Sequence, residues 1–100
     1  MQIDLLYFDG CPSWQAGLEN LKTALKREGM DAQIRLIRVE NDAHATELKF
    51  LGSPSYQLNS LDWWPEERAA YRLSCRVYHT TAGLRGAPSV EMLQEKLRRL

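Results

Sequence analysis

A chain of 100 residues with 44% hydrophobic side chains has the size of one domain with one modest core, so a second domain is not expected. Thirteen basic and thirteen acidic side chains cancel, and no block of like charge is long enough for a nucleic-acid or anionic-membrane surface. The apolar runs are only a few residues long, which argues against a membrane span, and Met1-Gln2-Ile3-Asp4 lacks the basic start and long apolar stretch of a signal peptide. A cytoplasmic location follows, where cysteines more often serve chemistry or metals than structural disulfides.

Residues 2–8 read as a strand, with Ile3, Leu5 and Tyr7 alternating with Gln2, Asp4 and Leu6. The run Leu5-Leu6-Tyr7-Phe8 points to burial on both faces towards its end. Asp9-Gly10 breaks the strand, and Pro12 suits the first position of a helix, where a missing N–H costs nothing. Trp14, Leu18, Leu21 and Leu25 then form one apolar stripe with Ala24 beside it, while Glu19, Lys22, Lys26 and Arg27 lie on the far side. Gly29 is a natural end for this helix.

Residues 32–39 read as a second strand, with Ile34 and Leu36 alternating with Arg35, and a strand–helix–strand unit of this length implies a right-handed parallel crossover. Asn41-Asp42 is expected to cap a short helix through about Phe50, its apolar side marked by Ala45, Leu48 and Leu51. After Gly52-Ser53-Pro54-Ser55 comes a short strand, Tyr56-Gln57-Leu58, then a turn at Asn59-Ser60 and an antiparallel return through Leu61-Asp62-Trp63 that Pro65 stops.

Residues 65–87 carry the weakest pattern. Glu66 to Tyr71 reads as briefly helical, Cys75-Arg76-Val77-Tyr78 as extended, and Thr80-Thr81-Ala82-Gly83 with Gly86 as loop. From Pro88 a last helix presents Val90, Leu93, Leu97 and Leu100 on one face. The order is β-α-β, a short α, β-β and a terminal α. It describes one α/β domain over 1–100, with mixed strand directions, helices on both faces and 65–87 as an inserted segment.

Cys11 follows the first strand and precedes the first helix. There the opening amide N–H groups have no intrahelical partner and the helix dipole is positive, and both favour thiolate, the nucleophilic form. Asp9 pulls mildly the other way, because a nearby carboxylate disfavours a second anion. The plainer alternative is a small hydrophobic residue at a helix start. Cys75 is equally open to two readings, a functional thiol or a buried free cysteine packed with Val77 and Tyr78.

If 75–79 is extended, His79 and Cys75 share a face, so Cys11, Cys75 and His79 could also form a soft-metal set of thiolates and imidazole. His44, on a polar helix, reads as solvent-exposed. Trp14 reads as core or as the floor of a site. Trp63 and Trp64 are hard to bury together in a small domain, so one covers the 65–87 segment or the pair marks a partner or homodimer surface.

These residues resemble a known fold. Cys11-Pro12-Ser13-Trp14 after the first strand is similar to the C-P-x-C motif of glutaredoxins, and Ser53-Pro54-Ser55 before the third strand is similar to the cis-proline loop of the thioredoxin/glutaredoxin fold. More narrowly, Tyr7-Phe8-Asp9-Gly10-Cys11-Pro12, Phe50-Leu51-Gly52-Ser53-Pro54, and Cys75-Arg76-Val77-Tyr78 with Gly86-Ala87-Pro88-Ser89 resemble small bacterial thioredoxin-like proteins. Among these are DF-family (seleno)proteins, in which selenocysteine can stand at the position of Cys11. The resemblance covers nearly the whole chain through short motifs.

The resemblance implies a thioredoxin-like β-α-β-α-β-β-α fold with a mixed four-stranded sheet. It also implies a thiol–disulfide or peroxide-linked oxidoreductase with Cys11 as nucleophile and no bound cofactor or metal. Pro12, Ser13 and Trp14 would then surround the sulfur, with Ser53 and a cis Pro54 as the platform for a substrate strand. The partners would be a thiol or disulfide substrate and a cellular thiol reductant such as glutathione.

One departure stands out. The fourth motif position, a resolving cysteine in dithiol members of the fold, is Trp14, so exchange within the motif is ruled out. The connection carrying Cys75 returns, in that fold, to the active-site end of the sheet, which makes Cys75 the candidate resolving thiol. Two other readings stand beside this one: a non-catalytic binding module that uses the tryptophan pair, and handling of soft metals (Hg, Cu or Zn) through Cys11 and Cys75.

Overall fold

The unbroken burial from Ile3 to Leu6 has a topological cause: this strand is covered on both faces and paired along both edges. The computed structural model describes residues 1–100 as β1 (Gln2–Tyr7), α1 (Trp14–Arg27), β2 (Gln33–Arg38), α2 (Asp42–Leu48), β3 (Ser55–Leu58), β4 (Leu61–Asp62), β5 (Tyr78–Thr80), β6 (Gly83–Arg85) and α3 (Val90–Arg98). A four-stranded sheet runs in the order β2-β1-β3-β4. β1 pairs parallel with β2, with Leu5 opposite Leu36, and antiparallel with β3, with Leu5 opposite Tyr56. β3 and β4 are antiparallel neighbours. The sheet is therefore mixed, as the alternation of elements predicts, and three helices cover its two faces.

Alternation along β1 sends its side chains to two separate cores. Ile3 and Leu5 meet Leu21, Ala24 and Leu25 of α1, Leu93 and Leu97 of α3, and Tyr56 of β3. Leu6 faces the other way, towards Val39, Ala45 of α2 and Phe50. Each fully buried large aliphatic or aromatic side chain in these clusters contributes about 1.5–3 kcal/mol relative to exposure. Asp4 shares the face of Leu6 and is buried because Arg35, its partner across the parallel ladder, holds both its carboxylate oxygens at 3.0 and 2.9 Å. No helix is long and apolar enough to cross a membrane.

Local chemistry sets the helix ends. Gly29 adopts φ +62° just past α1, where Met30 N–H donates to Leu25 O at 3.0 Å. Asn41 caps α2 by accepting from His44 N–H at 2.8 Å, and Ser89 caps α3 by accepting from Met92 N–H at 3.1 Å.

Several expectations are corrected. α1 opens at Trp14, so Pro12 lies in the preceding turn and not at the first helical position. α2 ends at Leu48. Glu66 to Tyr71 forms no helix, for it is too short to support itself and has only Tyr71 as an apolar contact. Residues 78–85 form a hairpin, β5–β6, turning at Thr81-Ala82, where a loop was expected. Leu36 lies exposed on edge strand β2, and Leu100 is exposed beyond α3. His44 is half-buried, its Nδ1 accepting from Glu40 N–H at 3.2 Å.

The two tryptophans are corrected as well. Trp63 is 8% exposed and stacks on Tyr56 with ring centroids 5.8 Å apart; Trp64 is half-buried, edge-on to Tyr78 and covered by the Lys96 ammonium. One aromatic cluster takes in both, burying Trp63 and leaving Trp64 partly open, with the Trp63 Nε1–H without a partner.

Candidate active site

The chain leaves β1 through a tight turn closed by Cys11 N–H donating to Phe8 O at 3.1 Å. Gly10 lies close under the Phe8 ring, where a Cβ would stand 2.6 Å from it. The turn points Cys11 inward. Its side chain is buried, with the residue 3% exposed, and its S–H donates to Ser53 O at 3.3 Å.

Ser53 is the fixed point of the site. It is fully buried, its peptide bond to Pro54 is cis, and its Oγ accepts from Phe8 N–H at 3.3 Å. Its backbone is saturated by the segment after residue 73: Ser53 N–H donates to Ser74 O at 2.8 Å, and Arg76 N–H donates to Ser53 O at 3.0 Å. These two bonds form a parallel bridge that sets Cys75 opposite Ser53. Gly52, at φ +116°, permits the approach, because a Cβ there would lie 2.9 Å from Arg76 Cβ and 3.1 Å from its backbone.

Cys75 and Cys11 therefore flank the same carbonyl. The Cys11 S–H is aimed at Ser53 O, and the Cys75 thiol lies beside that sulfur. Partial desolvation pushes the Cys75 thiol above its usual value, and the nearby Cys11 sulfur pushes it further the same way. Cys75 is solvent-exposed while Cys11 is not.

Residues 75–78 are extended as expected, but in a phase that apolar patterning does not suggest. Arg76 and Tyr78 point in; Cys75, Val77 (59% exposed) and His79 point out. Arg76 is buried because both of its terminal guanidinium nitrogens meet acceptors. Nη1 donates to both Asp62 oxygens and to Ser55 Oγ at 3.2 Å, and Nη2 donates to Trp64 O. The guanidinium also lies over the Tyr78 ring, 5.3 Å from its centroid. Burial raises the Asp62 carboxyl above the ordinary range despite the opposing pull of Arg76. The Tyr78 hydroxyl donates to Pro54 O, and Tyr56 Oη donates to Gly17 O at 3.0 Å, so both sides of the Ser53-Pro54 loop are pinned.

Among the residues named from the sequence, Cys11, Ser53, Pro54 and Cys75 come together. Trp14 stands at the edge of the site, stacked on Tyr7 with centroids 4.0 Å apart. Pro12 is exposed in the turn, and Ser13 packs against Gly86, where a Cβ would fall 2.3 Å from its Oγ. The Ser53 backbone is not a vacant platform, because Ser74 and Arg76 already occupy it. His79 does not join the cysteines, and nowhere do three His, Cys, Asp or Glu side chains converge as metal ligands, which corrects the set of Cys11, Cys75 and His79.

A cavity of about 330 Å³ opens beside α1, lined by Ser13, Asn20, Thr80, Arg85 and Pro88 among others, but neither cysteine lines it. Arg76, Asp62 and Gly52 were not singled out by sequence reasoning. The one available signal was the charge of Arg76 in phase with Tyr78 inside an extended run. Comparison of the chain with protein-family models, curated proteins and solved structures finds no match.

Proposed function

We propose that this protein exchanges thiols and disulfides through Cys11 and Cys75, on a fold of the thioredoxin-like kind. The observation that carries the reading is that both cysteines converge on Ser53: the Cys11 S–H donates to Ser53 O at 3.3 Å, and Cys75 stands opposite Ser53 across the parallel bridge. A further feature supports it: the order β2-β1-β3-β4 with a parallel β1–α1–β2 unit. The fold reading also carries the resemblance to thioredoxin-like DF-family (seleno)proteins.

The chemistry balances without a further group. Two protein thiols give up two electrons and two protons to a substrate disulfide, which leaves as two thiols while Cys11 and Cys75 become joined. A cellular thiol of the glutathione class reverses the change and is itself oxidised to its disulfide.

The test is a count of free thiols with peptide mapping, on protein kept under air and again after mild reduction. A reversible Cys11–Cys75 link is expected. Two thiols that stay free under a disulfide oxidant would remove the redox reading and leave the non-catalytic binding module in its place.

A further inference from the structure

Taking Cys11 and Cys75 as a redox couple, we infer that the outer sulfur, Cys75, is the one that exchanges with thiols and disulfides from solution, and that Cys11 exchanges only with Cys75. This reverses the order expected from the sequence, since α1 opens only at Trp14 and Cys11 lies in the turn before it. Three observations support it, and the first is access. Thiol–disulfide exchange needs the attacking sulfur to reach its target sulfur, and Cys75 is exposed whereas Cys11 is 3% exposed beneath the Ser53 loop.

The second is that the route to Cys11 is closed by the chain itself. A substrate segment seeking Ser53 finds both its N–H and its C=O bonded to Ser74 and Arg76. Displacing 74–76 would break those two bonds and expose the Arg76–Asp62 pair, in which both side chains are buried. Attack at Cys75 disturbs none of these contacts. Residues 74–76 thus hold the place a substrate strand would take, with Cys75 standing as the protein's own substrate for Cys11.

The third concerns the leaving group. In the oxidised protein a solution thiolate attacks Cys75 Sγ, the bond between Cys75 and Cys11 breaks, and Cys11 departs with the electron pair. It takes up a proton and can again donate to Ser53 O, as it does in the dithiol form. A mixed disulfide is left on Cys75. A second solution thiolate then attacks the solution-derived sulfur of that mixed disulfide, which gives a solution disulfide and the Cys75 thiol. The opposite course, attack at Cys11, would place the mixed disulfide on the buried sulfur beneath the Ser53 loop and cost the bond to Ser53 O.

The inference is tested by mixing oxidised wild-type protein with glutathione, quenching early in acid, alkylating the free thiols and mapping the peptides. Glutathione on the Cys75 peptide with alkylated Cys11 is the expected result. Glutathione on Cys11 overturns the inference while leaving the redox couple intact. Failure to form any Cys11–Cys75 disulfide beforehand fells the couple itself, and this inference with it. A second measurement uses single variants with glutathione disulfide. Cys75 in Cys11→Ser should be modified at least about tenfold faster than Cys11 in Cys75→Ser, since Cys75 is exposed and Cys11 is 3% exposed, and Cys11→Ser removes the sulfur that helps raise the Cys75 thiol. Equal rates, or the reverse order, overturn the inference.

Discussion

Arg76 Nη1 stands 3.0 and 2.9 Å from the two carboxylate oxygens of Asp62, with the side chains only 3% and 6% exposed. A buried ion pair adds little net stability over apolar packing, but removing one partner strands the other charge. That costs about 3–5 kcal/mol. Asp62→Ala and Arg76→Met are each expected to lower the unfolding free energy in urea by that amount. Because both substitutions act on one pair, the double variant should lose clearly less than the sum of the two. Additive losses would mean the pair contributes nothing as a pair.

Gly17 sits inside α1, where alanine normally stabilises a helix by about 1 kcal/mol relative to glycine. Here the sign reverses. A Cβ at Gly17 would meet Tyr56 Oη at 2.6 Å and Pro54 Cγ at 2.8 Å, and both neighbours are fully buried and pinned. Gly17→Ala is expected to destabilise by about 1–3 kcal/mol, the usual range for overpacking a filled core. Chemical denaturation checks this, and a gain in stability would contradict the contact.

What the sequence disclosed follows from the range of the interactions. β1, α1, β2 and α3 were legible because their apolar periodicities are strong and local, as with Leu21, Ala24 and Leu25, or Leu93 and Leu97. The cap at Asn41 lies within three residues of the amide it satisfies. The stretch 65–87 was not legible, because its course depends on partners far along the chain. Arg76 turns inward because Asp62, Ser55 and Trp64 O are waiting for it, and Val77 is turned out as a consequence. The same holds at the site. Cys11 and Ser53-Pro54 were found from the strand–helix junction and the motif resemblance, whereas the occupation of the Ser53 backbone by Ser74 and Arg76 has no local sequence mark.

Tyr56 and Tyr78 give an alkaline signature. Burial raises both phenols well above the ordinary range, and for Tyr78 it outweighs the opposing charge of Arg76. A phenol with a raised folded pKa keeps its proton longer in the fold than in the unfolded chain. Its contribution to stability is therefore complete below the unfolded value of about 10 and is lost as pH rises above it. Alkaline unfolding should coincide with tyrosinate formation by these two residues, followed by ultraviolet absorbance and circular dichroism together. In Tyr78→Phe the alkaline transition should be shallower, with lower stability at neutral pH because the bond to Pro54 O is lost. Tyrosinate absorbance from all tyrosines ahead of any unfolding would contradict this placement.

Oxidation supplies the last prediction. A Cys11–Cys75 disulfide would close a loop over most of the chain, and loop closure removes conformations from the unfolded state. For loops of this order the chain-entropy estimate is about 4 kcal/mol. Both cysteines meet at Ser53, Cys11 through its S–H and Cys75 across the parallel bridge, so native distortion is expected to offset only part of it. For a domain of this size each kcal/mol moves the midpoint by about 4–8 °C. Oxidised wild-type protein is thus expected to melt well above the reduced form, by up to about 15–30 °C on the same estimate. Cys75→Ser should melt at one temperature under both conditions, because the loop cannot close. A wild-type melt that ignores the redox state, with the disulfide verified by mapping, would show that the bond strains the fold as much as it restricts the unfolded chain. The two sulfurs would then be neighbours without being poised to join.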